Sequence, residues 1–139
     1  MMAENPNILL IGIAGNIVAI DAATGKEIWR NPVGGTDVVV WHVDGDVVYA
    51  AAGSSVVCLN QSTGIKLWSQ YISWWSQLTT LHFRNGNLYV GSGGVLYCLN
   101  PISGELIWHN PLRFLGRGIL MFDSNPTVAT EWNRQETVG

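Results

Sequence analysis

Short apolar runs alternate with polar turn residues along most of the chain. Runs of four to six apolar residues are separated by clusters of Gly, Asn, Asp, Ser and Thr, a spacing typical of antiparallel β-strands. Asp44-Gly45 and Asn85-Gly86 lie between such runs, and each pair predicts a tight hairpin. Complete units of four strands are therefore expected. Their strands are predicted at residues 38–43, 47–52, 56–59 and 66–71, and again at 77–83, 87–91, 95–99 and 106–110.

One nine-residue pattern occurs three times in the same register. It runs from Asp21 to Trp29, from Asn60 to Trp68 and from Asn100 to Trp108. The turn glycines of the three copies are Gly25, Gly64 and Gly104, spaced by 39 and then 40 residues. A fixed period of this size is typical of propellers and other repeat folds. We therefore predict an all-β fold with three four-stranded antiparallel propeller blades, in which Asp or Asn starts each turn and Gly reverses the chain.

The pattern Ala-x-Asp-x-x-Thr-Gly-x-x-x-Trp, at residues 19–29, resembles the tryptophan-docking motif of PQQ-type, quinoprotein-like β-propeller repeats. The resemblance covers nearly the whole chain, from about Ile8 to Thr130. It implies that each motif tryptophan packs against the neighbouring blade and stiffens the ring. The residues that carry this structural role are Trp29, Trp68 and Trp108.

The same resemblance raises the question of a quinone cofactor. In quinoprotein dehydrogenases, PQQ lies on a tryptophan floor near a disulfide between adjacent cysteines, with Ca²⁺ held by Glu, Asn and Asp. This chain contains only Cys58 and Cys98, at equivalent positions of successive blades, where a small buried hydrophobic residue is expected. No catalytic residue, cofactor or metal is therefore predicted. A quinone-binding redox protein stays open as an alternative.

Both ends of the repeat array differ from a complete blade. The first unit has only three strands before Pro32, whereas Ile119 to Asp123 has the position of an additional first strand. Since closed propellers have four to eight blades, three cannot close a ring. We predict a homodimeric six-bladed propeller in which this last strand completes the partner's first blade. A trimer and a ring completed by a different chain are alternatives. The propeller domain is expected at 8–130, between an N-terminal arm (1–7) and a polar tail (131–139).

Composition limits the partners. Charged residues make up 12% of the chain, the formal net charge is −3, and the seven basic residues are scattered. Because no basic stripe is present to neutralise phosphates, neither nucleic acid nor a membrane surface is an expected partner. The apolar run Ile8–Ile13 is too short for a signal or membrane-spanning segment, and the two cysteines have no pairing or metal spacing. A cytoplasmic location is therefore expected.

The three histidines are not expected to form a metal site. Counting back from the hairpin glycines makes Trp41 the equivalent of His82, which places His42 and His82 on opposite faces of equivalent strands. His109 is expected at the outer rim. A metal needs several ligands converging on one point, which this arrangement does not provide.

Four residues are candidates for contact with a ligand or partner. Trp74 and Trp75 lie in the connection after the second blade, and Arg113 and Arg117 lie in the connection after the third. Exposed aromatic and Arg side chains at a propeller mouth stack on sugars, bases or partner side chains. The simpler interpretation is that both tryptophans pack at an interface. The predicted function is a non-catalytic binding or scaffolding protein, with a lectin-like small-ligand binder as an alternative.

Overall fold

The computed structural model describes residues 7–35, 38–72, 78–116 and 118–123. These residues form three antiparallel sheets, which we number as blades 1 to 3. Blade 1 contains β1 (Ile8–Ile13), β2 (Asn16–Asp21) and β3 (Glu27–Pro32). Blade 2 contains β4 (Val40–Asp44), β5 (Val47–Ala52), β6 (Ser55–Asn60) and β7 (Lys66–Tyr71). Blade 3 contains β8 (Thr80–Arg84), β9 (Asn87–Ser92), β10 (Val95–Leu99) and β11 (Leu106–Asn110).

The predicted all-β fold of three antiparallel blades is confirmed. In every sheet, strands that follow each other in the chain are hydrogen-bonded neighbours. Within the described residues, blade 1 has three strands and the other two blades have four. The predicted strand bounds in blades 2 and 3 agree with the structure to within three residues. The largest difference is at the start of β8, which begins at Thr80.

The core consists of two layers, one on each side of blade 2. In β5, Val48 and Ala50 face blade 1, while Tyr49 and Ala51 face blade 3. The same alternation continues in β6, whose residues contribute to both layers. Since both faces of these strands are covered, β5 is apolar at every position and lacks the alternating pattern of a half-exposed strand. Three consecutive alanines in β5 also let the sheets approach closely.

The predicted placement of His42 and His82 on opposite faces is wrong. The strand registers place both histidines at the same distance from their hairpin turns, so they occupy equivalent positions. The error arises because the two glycines occupy different turn positions. Gly45 takes the first turn position with φ 61°, whereas in the other hairpin Asn85 (φ 53°) takes that position and Gly86 (φ 77°) the second. Asn tolerates a left-handed backbone, so it substitutes for the first glycine.

Residues 118–123 lie against blade 3 in the way that β8 lies against blade 2. The Phe83 ring of β8 stacks on His42 at 5.4 Å between ring centres, and Phe122 stacks on His82 at 5.3 Å, with similar ring angles. The Thr80 hydroxyl also donates a hydrogen bond to the Leu120 carbonyl at 2.5 Å. This segment, predicted as an extra first strand, therefore occupies the position of the inner strand of a following blade. It forms no strand ladder within the described residues.

Candidate functional site

Each copy of the repeated motif folds into the same turn. The Asn60 side-chain oxygen accepts hydrogen bonds from the backbone N–H groups of Ser62 (2.9 Å) and Thr63 (3.0 Å). The Gly64 N–H then bonds to the Asn60 carbonyl at 2.8 Å, with Gly64 at φ 76°. Asp21 and the third copy make equivalent bonds. The turn is therefore fixed by an Asp or Asn acceptor side chain at its start and by a glycine four residues later.

Trp29 joins blade 1 to the turn of blade 2. Its side chain is 8% exposed, and its Nε1–H donates to the Gln61 carbonyl at 2.9 Å. The indole lies directly over Gly64, where a Cβ atom would come within 2.5 Å of the ring. The Asn31 side-chain amide donates to the Gly64 carbonyl at 2.6 Å. Ring packing and two hydrogen bonds thus fix the two blades together.

Trp68 makes the same set of contacts between blades 2 and 3. Its side chain is 9% exposed, its Nε1–H donates to the Pro101 carbonyl at 2.8 Å, and its ring covers Gly104. The Gln70 amide donates to the Gly104 carbonyl at 2.8 Å, as Asn31 does one blade earlier. The motif therefore sets a rigid, repeated blade-to-blade geometry.

Trp108, the third motif tryptophan, differs in its exposure. It is 43% exposed, although its ring packs against Tyr89 of its own blade at 6.1 Å between ring centres, much as Trp68 packs against Tyr49 at 6.2 Å. The turn of blade 1 is likewise uncovered, because a Cβ atom at Gly25 would meet no other atom within 4 Å.

An aromatic cleft of about 590 Å³ lies between the end of blade 2 and the connections of blade 3. Its aromatic side chains are Tyr71, Tyr97 and Phe114. Phe114 is fully exposed, while partial burial raises the pKa of Tyr97. The remaining lining residues are small or apolar: Ile72, Ser92, Gly93, Val95, Pro111, Leu112 and Gly116. The cleft offers flat apolar surfaces, and its lining includes no Asp, Glu, Lys or Arg side chain.

The four predicted contact residues lie mostly outside the described residues. Trp74, Trp75 and Arg117 are outside them, and only Arg113 is described, in a turn between two cleft residues. Sequence reasoning missed the aromatic side chains of the cleft. The sequence signal for them is weak. Tyr71 ends the last strand of blade 2 and Phe114 lies in the connection after blade 3, and aromatic side chains at such positions need not be buried.

Titratable side chains do not assemble into a metal site in the described part of the chain. No group of three or more His, Cys, Asp and Glu side chains there has the geometry to hold a metal ion. Both cysteines are buried free thiols, and burial raises the pKa of the Cys58 thiol to about 11. Among the same residues, no helix has the length and apolar character needed to span a membrane.

The Asp123 carboxylate attaches the 118–123 segment to blade 3. Its Oδ2 lies 2.6 Å from Arg84 Nη2, and its Oδ1 lies 3.8 Å from His82 Nε2. The hydrogen bond from Arg84 lowers the pKa of Asp123, with smaller contributions from the charges of Arg84 and His82. A carboxyl whose folded pKa is lowered stabilises the fold above its ordinary pKa of about 3.9, and this contribution is lost as the pH falls through the folded value.

We therefore expect residues 118–123 to separate from blade 3 in acid below about pH 4, and in the variant Asp123→Asn at pH 7. The NMR signals of the Phe122 ring, which are shifted by the stacked His82 ring, should move towards the positions of an unstacked phenylalanine in both cases. Glu105→Gln, which neutralises another exposed carboxylate outside this segment, serves as the control and should leave these signals unchanged. Identical Phe122 signals in Asp123→Asn and the unaltered protein would contradict this account.

Solved structures with the same fold include designed and natural proteins. A computationally designed protein, Ika4, superposes with a TM-score of 0.67 over 88% of this chain and 78% of its own, at 21% identity. Quinohemoprotein alcohol dehydrogenase from Comamonas testosteroni superposes with a TM-score of 0.58 over 75% of this chain and 19% of its own, at 18% identity. At these identities the likeness establishes the fold alone.

Relatives in sequence are mostly assembly factors. Outer membrane protein assembly factor BamB of Salmonella typhimurium (strain LT2) is 31% identical over 117 residues, which is 83% of this chain and 28% of that protein. BamB of Escherichia coli (strain K12) is 30% identical over 127 residues, 90% of this chain and 31% of that protein. A more distant relative is tetrathionate hydrolase of Acidithiobacillus ferrooxidans, 23% identical over 76% of this chain and 22% of its own. The chain thus spans about a third or less of each relative.

These relatives correct one prediction. A cytoplasmic location is contradicted, because the BamB proteins are outer membrane protein assembly factors. The exclusion of a membrane environment is not supported either. The prediction of a cytoplasmic location depended partly on the absence of paired cysteines. In the structure, Cys58 and Cys98 are buried separately, in blades 2 and 3. Two isolated buried thiols give no information about the redox state of a compartment.

The family is shown by the extent of the match. A family model described as outer membrane protein assembly factor BamB matches residues 2–119, which include all three copies of the motif. The PQQ-type propeller resemblance expected from Asp21, Gly25 and Trp29 and their repeats is thereby confirmed. The chain belongs to the BamB-like family of PQQ-repeat propeller proteins.

Proposed function

We propose that this protein is a non-catalytic scaffold that binds another protein, and that an extended apolar segment of the partner enters the aromatic cleft. The observation that carries the proposal is the cleft itself, with Tyr71, Tyr97 and Phe114 around a volume of about 590 Å³. This volume falls within the usual range for binding pockets, roughly 300–1,000 Å³. Aromatic side chains provide large apolar contact areas with little loss of conformational entropy, and they are enriched at protein interfaces.

The rigid stack of blades supports this function. Trp68 fixes blade 3 against blade 2, the two blades that surround the cleft, so little ordering is required when a partner binds. The names of the BamB relatives concern the assembly of outer membrane proteins. Strands of membrane-spanning barrels carry apolar side chains at every second position, often with aromatic residues at their ends. Such a strand, before it is assembled, is the partner that we propose.

The proposal is tested with a synthetic peptide of about ten residues, the length of a barrel strand, in which aromatic or aliphatic residues alternate with polar ones. Titration of the ¹⁵N-labelled protein should shift the amide signals of Val95 and Tyr97. The variant Phe114→Ser should weaken binding about tenfold, since an interface aromatic contributes more than about 1 kcal/mol. Phe114 is fully exposed, so its replacement leaves the fold intact.

Two controls make the result specific. Ile102→Ser removes another highly exposed apolar side chain, one that does not line the cleft, and should leave affinity unchanged. A peptide of the same composition with its apolar residues grouped together should bind more weakly. Equal effects of Phe114→Ser and Ile102→Ser would contradict the proposal. So would failure of the peptide combined with binding of neutral oligosaccharides, which would favour a lectin-like function.

A further inference from the structure

We infer that a second copy of this chain docks its blade 1 onto blade 3 of the first, so that two chains form a closed propeller. This inference concerns self-assembly and does not depend on the proposed function. It follows from one contact, between a motif tryptophan and the turn of the next blade, which forms inside the chain at two junctions. At the two ends of the described blades, the tryptophan of blade 3 and the turn of blade 1 face solvent instead.

The first half of this contact is the tryptophan. Trp29 and Trp68 are 8% and 9% exposed because the next blade's turn covers them, whereas Trp108 is 43% exposed. All three are at the same position of their outer strands, opposite Ala19, Cys58 and Cys98. Trp108 therefore has the placement of a docking tryptophan and lacks only the turn that would cover it.

The second half is the turn. A Cβ atom at Gly64 or Gly104 would come within 2.5 Å and 2.4 Å of a tryptophan ring, but one at Gly25 would meet nothing within 4 Å. The three turns have the same shape, with glycine φ values of 78°, 76° and 79° in chain order. The blade 1 turn is thus preformed to receive an indole. Nothing in the described chain fills it.

The hydrogen bonds of the docked state follow from the repeat. Trp29 and Trp68 donate to the carbonyls of Gln61 and Pro101, each one residue after the Asn that starts its turn. In blade 1 the corresponding acceptor is the carbonyl of Ala22. We therefore expect the Trp108 Nε1–H of one copy to donate to the Ala22 carbonyl of its partner.

The inner edges of the same two blades also match. Residues 118–123 already occupy the inner-strand position of a blade that follows blade 3, as the stacked Phe122 and the Thr80–Leu120 hydrogen bond show. Blade 1 has three described strands, and β1 is its inner edge. One copy therefore supplies the inner strand and its partner the other three strands of a complete blade. Two such junctions give six blades, within the four-to-eight range, whereas three copies would give nine.

Light scattering after size exclusion provides the first test. The 139-residue chain should have about twice its chain mass of 15.2 kDa. Gly25→Asn should shift it to monomer, because Asn accepts the positive φ and its side chain occupies the space needed by the indole. The matched control is Gly45→Asn on the central blade, where glycine also has positive φ and open surroundings.

The tryptophan side of the junction has its own pair of variants. Trp108→Ala should weaken dimerisation about a thousandfold, because each dimer contains two junctions and each interface tryptophan contributes about 2 kcal/mol. Ile107→Ala, the exposed neighbour on the same strand, should have little effect.

A mixing experiment tests the head-to-tail arrangement. Trp108→Ala retains an intact turn and Gly25→Asn retains an intact tryptophan, so one junction can form between the two variants. Their equimolar mixture should contain more dimer than either variant alone. A monomeric or irregularly aggregated wild-type chain would overturn the inference. Dimers that are insensitive to both variants, or no gain on mixing, would also overturn it.

Discussion

Replacing Trp29 with alanine is expected to lower the free energy of unfolding by about 3–5 kcal/mol, the range for a buried tryptophan. The side chain is 8% exposed and lies between blade 1 and the Gly64 turn of blade 2. Its removal leaves a cavity at the junction. It also leaves the Gln61 carbonyl, which now accepts the indole N–H at 2.9 Å in a buried position, without that partner.

Urea unfolding followed by far-ultraviolet circular dichroism measures this loss without relying on tryptophan emission. Trp29→Phe separates the two contributions: it keeps most of the ring contact but loses the N–H, and should cost about 1–3 kcal/mol. The control is Ile28→Ala, on the adjacent, 46% exposed side chain, with an expected loss below about 1 kcal/mol. A loss for Trp29→Ala no larger than for Ile28→Ala would contradict the role of the docked ring.

The sequence predicts the blades well because blade structure is local. Each strand pair is joined by a short turn, and the turn residues, such as Asn60 and Gly64, make their hydrogen bonds within five residues of each other. Strand bounds therefore follow from patterns that are visible in a single repeat, and the blade count follows from the three copies of the motif. The one local error, the relative positions of His42 and His82, came from Asn85 taking a backbone conformation that was assigned to glycine.

The candidate site is much less predictable because it is not local. Tyr71, Tyr97 and Phe114 come from the last strand of blade 2, the third strand of blade 3 and the following connection. No sequence spacing relates them, and they meet only because the docked Trp68 sets the position of blade 3 against blade 2. The exposure of Trp108 is equally difficult to predict, because its local sequence matches that of Trp29 and Trp68.

A single added methyl group at Gly64 is expected to have a large effect. Gly64→Ala places an L-residue at φ 76°, which costs about 1–2 kcal/mol, and puts its Cβ 2.5 Å from Cδ2 of Trp29. Because that ring must move away from its packed position, the total loss should reach about 3 kcal/mol or more. At Gly45, with φ 61° and no atom near the added Cβ, alanine should cost only the backbone strain of about 1–2 kcal/mol.

A double-mutant cycle separates strain from collision. In the Trp29→Ala background the ring is absent, so Gly64→Ala should cost no more than Gly45→Ala does in the unaltered protein. The difference between its cost in the two backgrounds, about 1–2 kcal/mol, measures the contact between indole and turn. If Gly64→Ala is equally costly with and without Trp29, backbone strain alone explains the glycine. The motif would then encode a turn, and the docking of one blade on the next would require another cause.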